Sequence, residues 1–220
     1  MKYLEDIVIP NSVTYIGTYT FIYCGGRIDI PDSVTYLDDL ALYGTYATYV
    51  KLPNTLTTLY GGSSIGFLTN AIYLEEVVLP NNLVEIGAYA FKNCAQLKTI
   101  NIPDSVTTIG TCAFMDCASL TSLTLPNNIT SVPASLILNC NSIHTVTLGT
   151  NVTDVAGNAL DGCTGIKNIV LNTSTPPTVP GDYLYLDVSL SSVTLTVPKG
   201  ALTAYQEATA WKYFNIVEAE

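Results

Sequence analysis

Charge is what this chain has least of. Its 220 residues include 8 Lys or Arg and 18 Asp or Glu, 12% in all, for a net charge of −10, against about 25% charged residues in ordinary soluble domains. A surplus of acid this large argues against nucleic acid or an anionic membrane surface as partner, since phosphate recognition is built on Lys and Arg. Cationic partners stay open. Histidine is nearly missing too: His144 is alone, so a Ser/His/Asp or Cys/His centre would have to be built around that one ring. Long apolar runs are absent, none approaching the ~18 to 20 residues of a spanning helix, so no membrane insertion is expected of this segment. No phosphate loop or dinucleotide fingerprint occurs, and no cofactor is expected. A leader sequence is not visible either, Met1-Lys2-Tyr3-Leu4 running straight into Ile7-Val8-Ile9. The expectation is a piece of a longer exported protein whose first repeat is truncated.

What the chain has in place of these is repetition. Leu79-Pro80-Asn81-Asn82-Leu83, Ile102-Pro103-Asp104-Ser105-Val106 and Leu125-Pro126-Asn127-Asn128-Ile129 restate one phrase, Leu148-Gly149-Thr150-Asn151-Val152 varies it, and Ile9-Pro10, Ile30-Pro31 and Leu52-Pro53 begin it earlier. The interval from Pro53 to Pro80 is the longest between successive prolines of this phrase, and Gly61-Gly62-Ser63-Ser64 fills it as a loop. The intervals from Pro80 to Pro103 and from Pro103 to Pro126 are equal. A fixed period of this length marks a stacked solenoid, in which no unit buries its apolar side alone. The stretch Leu97-x-x-Ile100-x-Ile102 alternates with Thr99 and Asn101, as a short strand with one buried face does. Proline suits the strand's end and Asn or Asp the turn after it. The second half of a unit, such as Ile86 to Cys94, is expected to be a tight bend plus a turn of 3₁₀ or α-helix that lays Phe91, Phe114, Ile137 and Leu160 over the strands.

The wording Ile-Pro-Asp-Ser-Val-Thr-Thr-Ile-Gly-x-x-Ala-Phe-x-x-Cys-x-x-Leu at 102 to 120 resembles the leucine-rich repeat superfamily, in particular its BspA-like branch of bacterial surface proteins (type 5 repeats). The resemblance implies a right-handed α/β solenoid with short parallel strands and ~23-residue repeats. Repeats would occupy residues 1–171, and residues 172–220 would form a C-terminal strand-and-helix cap on the same core, with a helix from Ala201 to Trp211 and Leu202, Tyr205, Trp211 and Phe214 facing inward. One departure stands out: the Asn of the general motif falls at Asn82, Asn128 and Asn151 but is Ser or Thr at Ser12, Ser33, Thr55 and Ser105. The inner ladder of ordinary leucine-rich repeats is therefore not assumed.

The repeat also decides how reactive residues are read. Cys94, Cys117, Cys140 and Cys163 recur at one constant interval, which places them on rungs about 4.8 Å apart. They cannot converge on one tetrahedral zinc, which needs four sulfurs ~2.3 Å from a common point. Parallel stacking also disfavours bridges between adjacent rungs. The expectation is a structural ladder of buried free thiols, joined at the same offset by Cys24; Cys112, at the offset of Tyr89 and Ser135, is expected to be more exposed. His144 shares its offset with Thr121 and Lys167 and reads as a surface residue. Asp38-Asp39 and Glu75-Glu76 are sequence neighbours whose side chains point apart in an extended chain, unlike a hydrolytic pair. The Asn and Asp residues after the prolines read as turn formers and not calcium ligands. No catalytic or metal site is expected.

Function is then sought among residues that differ from rung to rung. The solvent face of the strands should carry Asp6, Arg27, Asp29, Tyr49, Lys51, Glu76, Thr99, Asn101, Ser122, Thr124, Thr145 and Thr147. Tyrosines concentrate in the N-terminal stretch that ends at Tyr73, and tyrosine offers large contact area with a polar tip. The expectation is a non-enzymatic cell-surface or secreted module that binds a protein partner through this face, the resemblance implying adhesion to host or neighbouring-cell proteins. Carbohydrate binding and a passive spacer role are the alternatives.

Overall fold

The computed structural model describes residues 7–220, and Asp6 lies outside them. Within each unit the chain runs along three sides, and the alternation of small polar and large apolar residues decides which side does what. The first side carries the longer strands: Gly25–Asp29, Tyr46–Lys51, Glu76–Val78, Ser122–Thr124, Thr145–Leu148, Asn168–Leu171, Thr194–Val197 and Asn215–Glu218. All pair in parallel with a neighbouring rung. Registers such as Ser122↔Thr145↔Asn168 keep the period of the sequence. Together they form a parallel-strand β-solenoid of about nine turns with almost no helix. Inward positions stack in columns, Ile28 on Val50 on Val77 and Leu123 on Val146 on Ile169, all buried. They belong to one apolar core running the length of the stack.

A second ladder side, not anticipated from the sequence, is built from two-residue strands that pair in parallel in three separate groups: Tyr15–Ile16 with Tyr36–Leu37; Thr58–Leu59, Glu85–Ile86 and Thr108–Ile109; and Ser131–Val132 with Asp154–Val155. Each presents one polar or aromatic residue outward and one apolar residue inward. Small residues follow because neighbouring backbones approach closely there: a Cβ on Gly110 would lie 2.3 Å from the Ala88 nitrogen.

The third side departs from the expected helical turn. Consecutive β-turns replace it, with left-handed residues at Tyr89 and Asn93, Cys112 and Asp116, Ser135 and Asn139, all at φ between 55° and 64°. In a type II turn the third residue must have positive φ. The reason for this choice is visible in the hydrogen bonds. The N–H groups of Tyr89, Phe91 and Asn93 donate to the carbonyls of Thr111, Ala113 and Met115 on the next rung at 3.0, 2.8 and 2.8 Å, whereas those of Lys92 and Cys94 close local turns. An α-helix would turn its N–H groups back on its own carbonyls and leave the neighbouring rung unsatisfied. Phe91, Phe114, Ile137 and Leu160 still point into the core. Among the described residues the only helical segments are Leu190–Ser192 (3₁₀) and Leu202–Glu207 (α).

Two further expectations change. Residues 97–103 form no paired strand, so the long-strand side is divided into a three-stranded and a five-stranded sheet. Thr99 and Asn101 stay exposed and Ile102 stays buried, but the alternation there is not accompanied by ladder hydrogen bonds. The C-terminal helix is also shorter than expected, ending at Glu207 because Ala208 turns extended (ψ 123°). Beyond it the chain adds Asn215–Glu218 as the last strand of the five-stranded sheet.

Candidate interaction faces

The long-strand side sets the outward residues of the first rungs in register: Arg27 opposite Tyr49 opposite Glu76, and Asp29 opposite Lys51 opposite Val78. Arg27 ties this corner together. Its Nε donates to Asp29 at 2.8 Å and its guanidinium lies 3.5 Å above the centre of the Tyr49 ring. Farther along, the same two columns carry Ser122, Thr145, Asn168 and Thr194, then Thr124, Thr147, Val170 and Thr196. The face is thus charged and aromatic at one end and hydroxyl-rich at the other. At Thr99 and Asn101, where pairing lapses, it dips into a depression of about 410 Å³ floored by Ile100 and Ile102.

The early tyrosines do not join this face as one surface. Tyr15 and Tyr36 lie on the second ladder and stack with ring centres 5.0 Å apart, 5° from parallel. Tyr19 and Tyr43 meet edge to face on the turn side. Tyr23, Tyr46 and Tyr73 form a third chain with successive centroid distances of 5.2 Å. Tyr46 and Tyr49 share the long strand Tyr46–Lys51, but of the two it is Tyr49 that stands in register between Arg27 and Glu76. Sequence clustering could not separate these sets, because residues a few positions apart in a solenoid turn different corners.

On the described residues the geometry is that of a repeat stack whose buried columns recur while its outward columns vary. A family model for a BspA type leucine rich repeat region matches in six copies over residues 1–63 and 64–196. The chain belongs to that family. Among solved structures, this BspA-type solenoid is similar to a leucine-rich repeat protein from Bacteroides ovatus (18% identity, TM-score 0.66, 99% of this chain and 72% of the other). It is also similar to the Treponema pallidum leucine-rich repeat protein (20%, TM-score 0.57, 74% and 72%). A third likeness is to a leucine-rich cell surface protein from Faecalibacterium prausnitzii (22%, TM-score 0.53), where 78% of this chain covers 59% of the other. At these identities the likeness is one of fold. No curated protein matches the sequence.

Within this BspA-type stack the chemical candidates fall as follows. All six cysteines are free, with Cys94, Cys117, Cys140 and Cys163 buried; Cys24, expected to join them, is only half-buried, as is Cys112. The buried thiols are not merely small hydrophobes: each Sγ donates to a carbonyl of the preceding rung, Cys94 to Leu68, Cys117 to Phe91, Cys140 to Phe114 and Cys163 to Ile137, at 3.1 to 3.4 Å. Burial pushes the Cys94, Cys117 and Cys163 thiols up; for Cys140 the contact with Cys117 comes first and burial second. They are protonated at any physiological pH and are poor nucleophiles. His144 is exposed, and among the described residues no three His, Cys, Asp or Glu side chains converge as a metal set.

The turn formers after the prolines bond from rung to rung. The Asn54 N–H donates to Asp32 at 2.8 Å and holds its carboxyl below the usual range, and Asn127 accepts from the Thr150 N–H at 3.0 Å. At the C-terminal end Tyr205, Trp211 and Phe214 are buried and Leu202 is half-buried. The Tyr205 hydroxyl donates to the Thr173 carbonyl and the Trp211 indole to that of Pro177, both at 2.8 Å. Among the described residues no helix is long and apolar enough to cross a membrane.

Proposed function

We propose that this chain is a non-enzymatic protein-interaction module, displayed on a cell surface or secreted, that binds a protein partner through the outward face of its long strands. Its family supports an interaction role for the repeats. The observation that carries the reading is the contrast between columns: Ile28, Val50 and Val77 repeat an apolar theme, whereas the outward positions between them run Arg27, Tyr49, Glu76 and Asp29, Lys51, Val78. Packing constrains the first set and not the second, so recognition has room only in the second. A right-handed winding and closure of the last rung by Leu202, Tyr205, Trp211 and Phe214 belong to the same reading, as does a structural role for the four buried thiols.

The experiment is a binding screen of the immobilised chain against purified host and bacterial surface proteins, run beside a glycan array. Saturable binding of a protein, weakened by Tyr49→Ala, Lys51→Glu and Glu76→Lys, is expected. Retention by glycans alone, lost with Tyr23→Ala or Tyr73→Ala, would replace this reading with carbohydrate binding, for which the exposed Tyr23 and Tyr73 rings give the specific motive. Binding by neither, in a longer reading frame that carries other modules, would leave a spacer. Turnover of a hydrolase substrate abolished by His144→Ala would overturn the non-enzymatic assignment.

A further inference from the structure

The long rung does more than interrupt the period. Its extra residues fold as a small hairpin on the second-ladder side, with an antiparallel bridge between Gly61 and Gly66 and the Gly62 N–H donating to the Ile65 carbonyl at 2.7 Å. The hairpin's base is fixed by contact between backbones. A Cβ on Gly61 would lie 1.9 Å from the Ala88 carbonyl oxygen, and one on Gly66 would lie 2.5 Å from the Ala90 nitrogen. Beside it two depressions of about 350 and 430 Å³ open, one walled by the hairpin and the other by Tyr36, Thr58 and Leu37. Both are lined by Asp39 and Tyr60, so they adjoin at these side chains as a two-part groove on the second-ladder side.

The chemistry of that groove is one-sided. Tyr60 is 59% and Tyr36 52% exposed, and Tyr36 continues into its stack with Tyr15. Asp38 is close enough to the Tyr36 hydroxyl to be the main cause of its raised pKa, with Asp39 contributing less. Burial, then the nearby Asp38, pushes the Asp39 carboxyl up. Glu85 stands next to Thr58 in register on the following rung. Among the described residues no Lys or Arg lines either depression, and the two salt bridges lie elsewhere, at Arg27–Asp29 and Lys98–Glu75.

We propose that this groove receives a basic segment of a partner protein, one Lys or Arg side chain lying between the Tyr36 and Tyr60 rings with its charge against Asp39. Tyrosine faces attract such cations, and a carboxylate supplies the charge-assisted hydrogen bond that orients them. The groove's length across two depressions suits an extended peptide better than a single small ion. The assignment does not rest on the long-strand face, which lies on another side of the solenoid.

The test is calorimetric titration of the full chain with a short oligolysine peptide at low salt, with oligoglutamate of equal length as control. Saturable binding of oligolysine is expected. Asp39→Asn should weaken it roughly tenfold and Tyr60→Leu about two- to fivefold, whereas Tyr60→Phe, which keeps the ring, and Glu207→Gln, which removes one charge from the distant helix, should change it little. Thermal melting of each variant verifies folding. Unaltered binding in Asp39→Asn and Tyr60→Leu would overturn the proposal. So would an equal loss in Glu207→Gln, which would reduce the effect to diffuse attraction by the net charge, or equally tight binding of free lysine amide, which would remove the peptide.

Discussion

Up to Tyr73 the rungs are irregular, the intervals between Pro10, Pro31, Pro53 and Pro80 all differing, whereas Pro80, Pro103 and Pro126 are evenly spaced. In the regular half one residue type tends to hold each offset: cysteine at 94, 117, 140 and 163, large apolar groups at 91, 114, 137 and 160. In the irregular half the same three sides persist, but tyrosines stand outside on each of them and a hairpin projects from one. Regularity and surface variety are therefore separable. The regular rungs supply a uniform core, and the irregular ones supply distinct surfaces on the same backbone plan.

The largest expected effect sets an aromatic pair from each half side by side. Phe91 and Phe114 stack at 5.3 Å, 5° from parallel, and are fully buried. Phe114→Ala should cost about 3 to 5 kcal/mol in chemical denaturation. Tyr15 and Tyr36 stack slightly closer, at 5.0 Å, but are 64% and 52% exposed, so Tyr36→Ala should cost at most about 1.5 kcal/mol. Comparable losses would mean that the early tyrosines are structural and would erase the contrast between the halves.

Glycines probe the same contrast from the backbone. Gly110 in the regular half and Gly61 in the irregular half both face neighbouring backbone, at 2.3 and 1.9 Å from an added Cβ. Both Gly→Ala changes should lower stability by about 1 to 3 kcal/mol, because backbone cannot yield as a side chain does. A harmless Gly61→Ala would show the hairpin to be loosely attached and its groove not preformed.

For the thiols a smaller effect is expected. The Phe114 carbonyl that accepts from Cys140 also accepts the Cys117 N–H at 3.3 Å, so Cys140→Ala orphans no buried group and should cost about 1 to 2 kcal/mol for the void alone. Alkylation of the folded, unreduced protein should label Cys24 and Cys112 ahead of the other four, and unfolding should expose all six. Intramolecular bridges found by mass spectrometry would remove the thiol hydrogen bonds as an account of the even cysteine spacing.

The regular half is also the more legible half, the unpaired stretch at 97–103 and the turn side excepted. The period places Leu123, Val146 and Ile169 on one column, and strand alternation turns Ser122 and Thr145 outward, both from local pattern alone. The second ladder escapes a reading of the sequence because strands of two residues are too short to show a period. The left-handed turns escape it because Tyr89, Cys112 and Ser135 share no side-chain preference for them; their conformation follows from hydrogen bonds to the next rung, a full repeat away in sequence. The groove at Asp39 needs three dimensions altogether, since its walls come from Tyr36 and Tyr60 on successive rungs.

Smallest, and opposite in sign, are two aspartates of the irregular half. The Asn54 N–H lowers the pKa of Asp32, so the folded state favours its charged form. That contribution is present above the unfolded pKa and is lost as pH falls through the folded one. Asp39 is the reverse: burial first and Asp38 second raise its pKa, so its charge opposes folding at neutral pH, and the opposition fades as pH falls through the raised value. Asp32→Ala should therefore lower the thermal midpoint at pH 7, and Asp39→Asn should raise it slightly, with the Asp39 difference fading by about pH 3, below the usual carboxylate pKa, and the Asp32 difference shrinking from there downward. Asp39 is exposed and meets no cation among the groove's described lining residues, so its charge is available to something the groove binds. A lower midpoint for Asp39→Asn at neutral pH would make Asp39 a structural residue and remove that reason for expecting a partner in the groove.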